Sequence, residues 1–235
     1  MKILSVDSTA ITASVAVTEN QTLLAEYTVL NGNTHSETLL PMVESALKTL
    51  GLRADDIDLF ACSAGPGSFT GVRIGAATIK GLAFAKGKPC VGVSTLEALA
   101  YNLVGYEGLI CPVMNARRGQ VYTALFESDG ATLTRLMEDS ALPISELDAI
   151  LAETGARVRF CGDGYDITIP ALKLCAYHTT PERLRPQSAY SVAMTALRKY
   201  QAEGGVSDRE LVSTYLRPCQ AERELAEKMK SKENN

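Results

Sequence analysis

No run of this sequence reaches the ~18 apolar residues that a membrane-crossing helix needs, so no such span is expected. The opening MKILSVD reaches an aspartate at once and leaves no room for the apolar stretch of a secretory signal. A basic surplus is missing too: 23 Lys and Arg stand against 27 Asp and Glu, a formal charge of -4. A dedicated nucleic-acid binder usually carries the opposite balance, although an acidic subunit of a complex that handles nucleic acid is compatible with it. Six cysteines (Cys62, Cys90, Cys111, Cys161, Cys175, Cys219) form no C-x-x-C pair, and most sit in apolar segments. That pattern reads as reduced, buried thiols in a cytoplasmic protein. His35 and His178 are the only histidines, so a zinc-protease helix with two histidines four apart cannot be built. What remains is ordinary globular material: 235 residues, 46% hydrophobic and 21% charged, enough for one large domain or two small lobes.

Along the chain, KILSVD, ASVAVT and LLAEYTVL alternate like strands and are joined by short polar links, which predicts a three-stranded antiparallel start. ETLLPMVESALKTLG places Leu39, Leu40, Val43, Ala46, Leu47 and Leu50 at helical spacing, stopped by Gly51. Thr34 and Glu37 suit a capping box, yet Pro41 would kink a helix begun there; a start near Thr38 is the alternative. IDLFACSAG reads as a buried strand, followed by a glycine-rich loop, a helix over 70–86, and the strand PCVGVS. Ser94 and Glu97 form a second capping-box pattern ahead of Leu96, Leu99, Ala100 and Leu103 on one helical face. The order to this point is β-β-β-α-β-α-β-α, and a first lobe is expected over 1–105. A smaller lobe over 106–217 would open with two strands joined by a tight turn at Ala116–Gly119. A helix (ISELDAILAETG), a strand (RVRFCGDG) and a helix (SAYSVAMTALRKYQAEGG) follow. No internal repeat is legible. The charged end, 218–235, reads as a solvated helix or a disordered tail.

The segment SAGPGSFTGVRIG, residues 63 to 75, holds four glycines in thirteen residues. It fails the phosphate-binding loop G-x-x-x-x-G-K-[ST], because Val72 and Arg73 follow Gly71. The dinucleotide fingerprint fails as well, since the third glycine falls one residue late. In the helix beyond, Val72, Ala76, Ile79 and Ala83 form the stripe that should face the core. Gly71, Gly75, Thr78 and Leu82 form a second small or apolar stripe. Glycine inside a helix costs about 1 kcal/mol relative to alanine, so two of them imply that another backbone comes close. Phe69 stands at the mouth of the loop. Two readings stay open: a second internal packing face, or a surface for a partner.

Other candidates are thinner. Asp7-Ser8-Thr9 at the end of the first strand could hold a metal-bound phosphate through water, or form a turn that bonds its own backbone. No glycine lies between Asp7 and Ala16 to let a phosphate approach. His35 near Glu37 reads as a capping or surface pair. No G-x-S-x-G elbow is present. Arg117 and Arg118 in the hairpin turn could meet an anion or simply be solvated, and Gly162-Asp163-Gly164 reads as a turn. No self-sufficient catalytic set emerges, and no metal ligands are assigned.

ILSVDSTAITASVAV, HSETLLPMV, SAGPGSFTGVRIGAATIKGLA, NARRGQVY and YLRP, in that order between residues 3 and 218, together resemble the TsaB (YeaZ) family. The resemblance implies an α/β, two-lobed actin-like ATPase fold with mixed β-sheets flanked by helices and a shortened second lobe. It implies a non-catalytic, activating subunit in the formation of N6-threonylcarbamoyladenosine at position 37 of tRNAs reading codons that begin with A. Its partners would be a catalytic TsaD-type subunit and a TsaE-type ATPase, with a homodimer when alone; ATP and magnesium would act through the assembled complex. The contact would run through helix 70–86, with Phe69, Gly71, Val72, Gly75, Thr78 and Leu82 at the interface. Asp7, Ser8 and Thr9 would mark a residual nucleotide site. The chain departs from the family at Asn115, often aspartate, and Gln120, often glutamate, which puts a charge-dependent role of that hairpin in doubt. The competing class is an independent enzyme, an actin-fold ATPase or phosphotransferase working through Asp7, or a peptidase.

Overall fold

The computed structural model describes residues 1–30 and 34–217; the tail expected over 218–235, with Cys219, lies outside the described residues. The first sheet is built from β1 (Lys2–Asp7), β2 (Ala13–Glu19), β3 (Thr22–Val29), β4 (Leu59–Ser63) and β5 (Cys90–Val93), in the order β3-β2-β1-β4-β5. β1, β2 and β3 pair antiparallel as their alternation requires, while β4 and β5 run parallel to β1. The intervening helices are α1 (His35–Thr49), α2 (Phe69–Lys86) and α3 (Thr95–Tyr101).

The second sheet comprises β6 (Glu107–Arg117), β7 (Gln120–Asp129), β8 (Leu133–Pro143), β9 (Val158–Cys161) and β10 (Tyr177–His178), in the order β10-β9-β6-β7-β8. Its helices are α4 (Ile144–Glu153), α5 (Tyr165–Thr168) and α6 (Ala189–Glu203). Strand for strand and direction for direction, this is the first sheet again. The chain is thus a duplication of β-β-β-α-β-α-β-α, although its sequence shows no repeat: the copies share backbone pairing and not side chains. The second copy is abbreviated at α5 and β10.

The period of two along β1 sorts its residues between two cores. Leu4 and Val6 face α1 and α2, where Leu39, Val43, Ala46, Ala76, Ile79 and Ala83 are buried with Val15 and Phe60. Ile3 faces the other way, onto α6, among Val192, Ala193, Met194 and Leu197. The predicted face of α3, Leu96, Leu99, Ala100 and Leu103, packs on the second sheet against Ile110, Met114 and Phe126. The far side of that sheet is covered by α4 through Ile144, Leu147 and Leu151. Each lobe therefore lends its last helix to its neighbour's sheet: α3 covers the second sheet, α6 the first. The two helices also touch, and form a shared layer between the sheets.

At three places the structure settles what the sequence leaves open, unread or misread. α1 starts at His35 and continues through Pro41, which lies exposed on the side away from the core. Its Thr34 hydroxyl donates to the Glu37 carboxylate at 2.7 Å and caps no backbone amide. At α3 the Ser94 hydroxyl does accept from the Glu97 amide, at 3.2 Å, but the Glu97 carboxylate reaches across to Arg135 instead of closing the box. β8, unread in the sequence, is an edge strand whose charged residues Arg135 and Asp139 pair with each other at 2.5 Å.

Beyond α6 the chain returns as a strap over the first lobe. Val206 and Cys90 exchange backbone bonds, Leu211 is buried in the first core, and the Thr214 amide donates to the Ala64 carbonyl at 2.7 Å.

Candidate functional site

The glycine loop follows β4 and ends at Ser68, whose hydroxyl accepts from the Gly71 amide as the N-cap of α2. The loop's glycines are explained by the β1–β2 turn beneath them. A Cβ on Gly71 would lie 1.9 Å from the Ser8 carbonyl oxygen, one on Gly67 2.6 Å from the Thr9 oxygen, and one on Gly75 2.7 Å from Ser8 Oγ. The Ser68 amide donates to the Thr9 carbonyl at 2.7 Å, and Ser8 Oγ donates to the Gly71 carbonyl at 2.8 Å. Another backbone does approach this helix closely, as the spacing required; it belongs to the same chain.

The turn so covered holds Asp7, Ser8 and Thr9, all 1% exposed. Asp7 Oδ1 accepts from the Thr9 amide at 2.9 Å and the Thr9 hydroxyl at 2.7 Å, and Oδ2 accepts from Ser63 at 2.5 Å. Burial raises the Asp7 carboxyl above the ordinary aspartate range, against the opposing pull of Ser63 and Thr9. All three side chains expected at a residual nucleotide site spend their oxygens inside the chain. His35 rests its Nε2 against the Ala10 carbonyl at 2.6 Å, closing the same turn from α1 rather than pairing with Glu37.

The six expected interface residues divide. Gly71, Val72 and Gly75 are buried within their own lobe, where the Ser8 turn and the first core fill the space. Thr78 is half-buried and bonds the Ile74 carbonyl, and Leu82 packs at the margin of the first core. Phe69 stacks on Tyr215 of the strap, ring centroids 5.0 Å apart, with the Arg73 guanidinium 3.8 Å over its ring. The solvent face of α2 is a different stripe: Thr70, Arg73, Ala77, Gly81 and Phe84, the last 69% exposed. Nothing lies within 4 Å of where a Gly81 Cβ would stand.

Between the lobes runs a cleft of about 610 Å³. The glycine loop, the β6–β7 hairpin and the strap wall it, with Ile11, Phe69, Met114, Asn115, Arg117, Asp163 and Tyr215 among its lining. Arg117 and Arg118 take the left-handed conformation (φ 64° and 55°), turning the hairpin tightly, and Asn115 Oδ1 accepts from the Arg117 amide at 2.8 Å. Asp163 follows β9. Gly162 (φ 102°) and Gly164 hold it there, because a Cβ on either would meet the Val113 backbone, at 2.1 and 3.0 Å. Burial drives the Asp163 carboxyl up to about 6, eased by its own backbone, the Gln187 side chain and the Asn115 backbone. Sequence reasoning passed this residue over as a turn; the flanking glycines were the signal that its backbone is pinned. Among the described residues, no cluster of three or more metal-ligating side chains occurs and no helix is long and apolar enough to cross a membrane.

Comparison with known proteins places this geometry. The family model described as TsaD, tRNA N6-adenosine threonylcarbamoyltransferase, matches residues 28–203. The tRNA threonylcarbamoyladenosine biosynthesis protein TsaB of Bacillus subtilis is 36% identical over 162 residues, 69% of this chain and 71% of that one. The Escherichia coli protein of the same name is 38% identical over 131 residues, and the match spans 56% of its length. The crystal structure of YeaZ from Pseudomonas aeruginosa superposes with a TM-score of 0.77 at 25% identity, covering 92% of this chain and 99% of that one.

Proposed function

We infer the function from the family: the chain belongs to the TsaB (YeaZ) family, and its two five-stranded sheets superpose on a YeaZ structure. From that premise we propose that it is a non-catalytic, activating subunit of the assembly that forms N6-threonylcarbamoyladenosine at position 37 of tRNA. It works by pairing with a TsaD-type catalytic subunit, and two copies pair through the same surface when the chain is alone. A TsaE-type ATPase joins the assembly, ATP and magnesium act there, and most of the tRNA contact falls to other subunits of less acidic balance.

The observation that carries this reading is the solvent face of α2. Ala77 and Gly81 leave its middle nearly flat, and Phe84 extends an aromatic ring from its end. A flat, small-residue stripe lets another helix approach closely, and an exposed aromatic supplies an anchor. Phe69, Thr78 and Leu82 flank this stripe, so the contact is shifted around the helix from Gly71 and Gly75. The bonded oxygens of Asp7, Ser8 and Thr9 support activation without chemistry of the chain's own.

Reconstitution tests the reading. Threonylcarbamoyladenosine formation should require this chain, and Ala77→Arg with Phe84→Asp should abolish both pairing with the TsaD-type subunit and product, leaving the lone chain's melting temperature unchanged. Product formed at full rate without the chain, or ATP turnover by the lone chain that Asp7→Asn abolishes, would overturn it.

A further inference from the structure

One carboxylate oxygen on the wall of the interlobe cleft has no hydrogen-bond partner within the chain. It is Asp163 Oδ1, and it is buried. Beside it Gln187 is 2% exposed; its Nε2 and Oε1 make no hydrogen bond of good geometry, although its side chain lies near enough to ease the Asp163 charge. Buried polar atoms are almost always satisfied in native proteins, and a group of them left open at one place marks where something else completes the bonding. The loop cannot relax to hand Asp163 to the solvent, because Gly162 and Gly164 lock its backbone onto Val113.

The remaining walls supply the complement. Arg117 and Arg217 bring positive charge to the same cavity, and Arg217 spends one N–H on the Ala116 carbonyl. Ile11, Met114 and Phe69 provide apolar surface. A cavity of about 610 Å³ falls within the usual size of small-molecule sites. An acceptor on one wall, a cation on another and apolar surface between them suit a small zwitterion with an apolar side chain. A nucleotide suits the site less well: the Asp163 carboxylate opposes its phosphates, and the hydroxyls of the β1–β2 turn are already bonded.

We propose that the interlobe cleft binds a free apolar α-amino acid, its ammonium on Asp163 and its carboxylate toward Arg117. The proposal does not rest on the role in tRNA modification, and its test uses the lone full chain, so either can fail without the other. Calorimetric titration at neutral pH with L-leucine, L-methionine and L-phenylalanine is compared with isoamylamine and isocaproate, which carry only one charged end each. Saturable binding of at least one amino acid is expected. For L-leucine, each single-ended analogue should bind roughly tenfold more weakly, a difference of about 1.4 kcal/mol. Asp163→Asn should remove the ammonium's contribution, with its fold verified by thermal melting. Arg117→Ala should weaken L-leucine and leave isoamylamine unaffected. Absence of saturable binding by all three amino acids at millimolar concentration would overturn the proposal. So would undiminished binding to the Asp163→Asn chain, or AMP binding tighter than any amino acid and displacing it.

Discussion

The loops that follow β4 and β9 occupy the same place in the two copies of the fold, and both use glycine to press their backbone onto the first hairpin of their sheet. At the first, Gly67 and Gly71 rest on Ser8 and Thr9; at the second, Gly162 and Gly164 rest on Val113. The carboxylates beside them fare differently. Asp7 has both oxygens bonded by Thr9 and Ser63, whereas Asp163 keeps one oxygen unanswered. The helices that follow differ too, α2 spanning 18 residues and α5 four. The two copies share the backbone contact and differ in the chemistry above it. Both loops border the cleft, but the first seals a bonded carboxylate beneath a long exposed helix and the second leaves a carboxylate oxygen open.

The largest expected effect comes from forcing a side chain into the sealed loop. Gly71→Ala puts a Cβ against the Ser8 carbonyl, and only a backbone shift can relieve it; a loss of about 4 kcal/mol or more is expected in urea denaturation. Stability close to the parent's would mean that the contact with Ser8 does not fix this glycine.

Next in size is Asp163→Asn. A carboxyl raised from 3.8 to about 6 binds more protons folded than unfolded between those values. It therefore costs stability progressively as pH rises through that window, to about 3 kcal/mol at neutral pH. The asparagine variant should be more stable than the parent at pH 7, and the two should converge below about pH 4. Parallel stability curves across this range would show that burial does not penalise the Asp163 charge, contrary to the unanswered oxygen of this loop.

Ser63→Ala should make the first loop resemble the second. Removing the donor to Asp7 Oδ2 leaves a buried oxygen unsatisfied, at a cost of about 2 kcal/mol, and raises the Asp7 carboxyl further. An unchanged midpoint in chemical denaturation would show that Ser63 does not seal the turn. The smallest effect, and of opposite sign, is expected at Gly81, whose Cβ position is open: Gly81→Ala should stabilise the lone chain by about 1 kcal/mol in the same assay. A loss there would show that α2 is not an ordinary exposed helix at this point.

The first half of the chain was legible because its periods are clean. The alternation of KILSVD sorts Leu4 and Val6 from Ile3 between two cores, and the steps from Val72 to Ala83 match one buried face. The second half was harder for physical reasons. β8 is an edge strand with charged residues such as Arg135, whose guanidinium stacks on Phe126 at 4.6 Å, so its pattern does not look like a half-buried strand. The strap through Leu211 and Thr214 has no period at all. The glycines of α2 signal close approach by another backbone, but spacing along one helix cannot say which backbone that is. Ser8 lies 63 residues away in the chain from Gly71, and only the fold joins them. Asp163 was dismissed for a similar reason: whether its oxygen finds a partner depends on Gln187 and Asn115, residues of separate elements.

The exchange of α3 and α6 between the sheets sets a schedule for synthesis. The Ser5 hydroxyl on β1 donates to the Ala189 carbonyl at 2.7 Å, across a separation of 184 residues. Ribosomes add about 5–20 residues per second, so the face completed by β5 stands bare for roughly five to twenty seconds before α6 exists to cover it. During that interval the nascent chain displays Ile3, Leu59, Ala61 and Val91 to whatever meets them. Residues 189–203 are the segment whose arrival ends that exposure, and a ribosome stalled short of it would hold the nascent chain in that uncovered state.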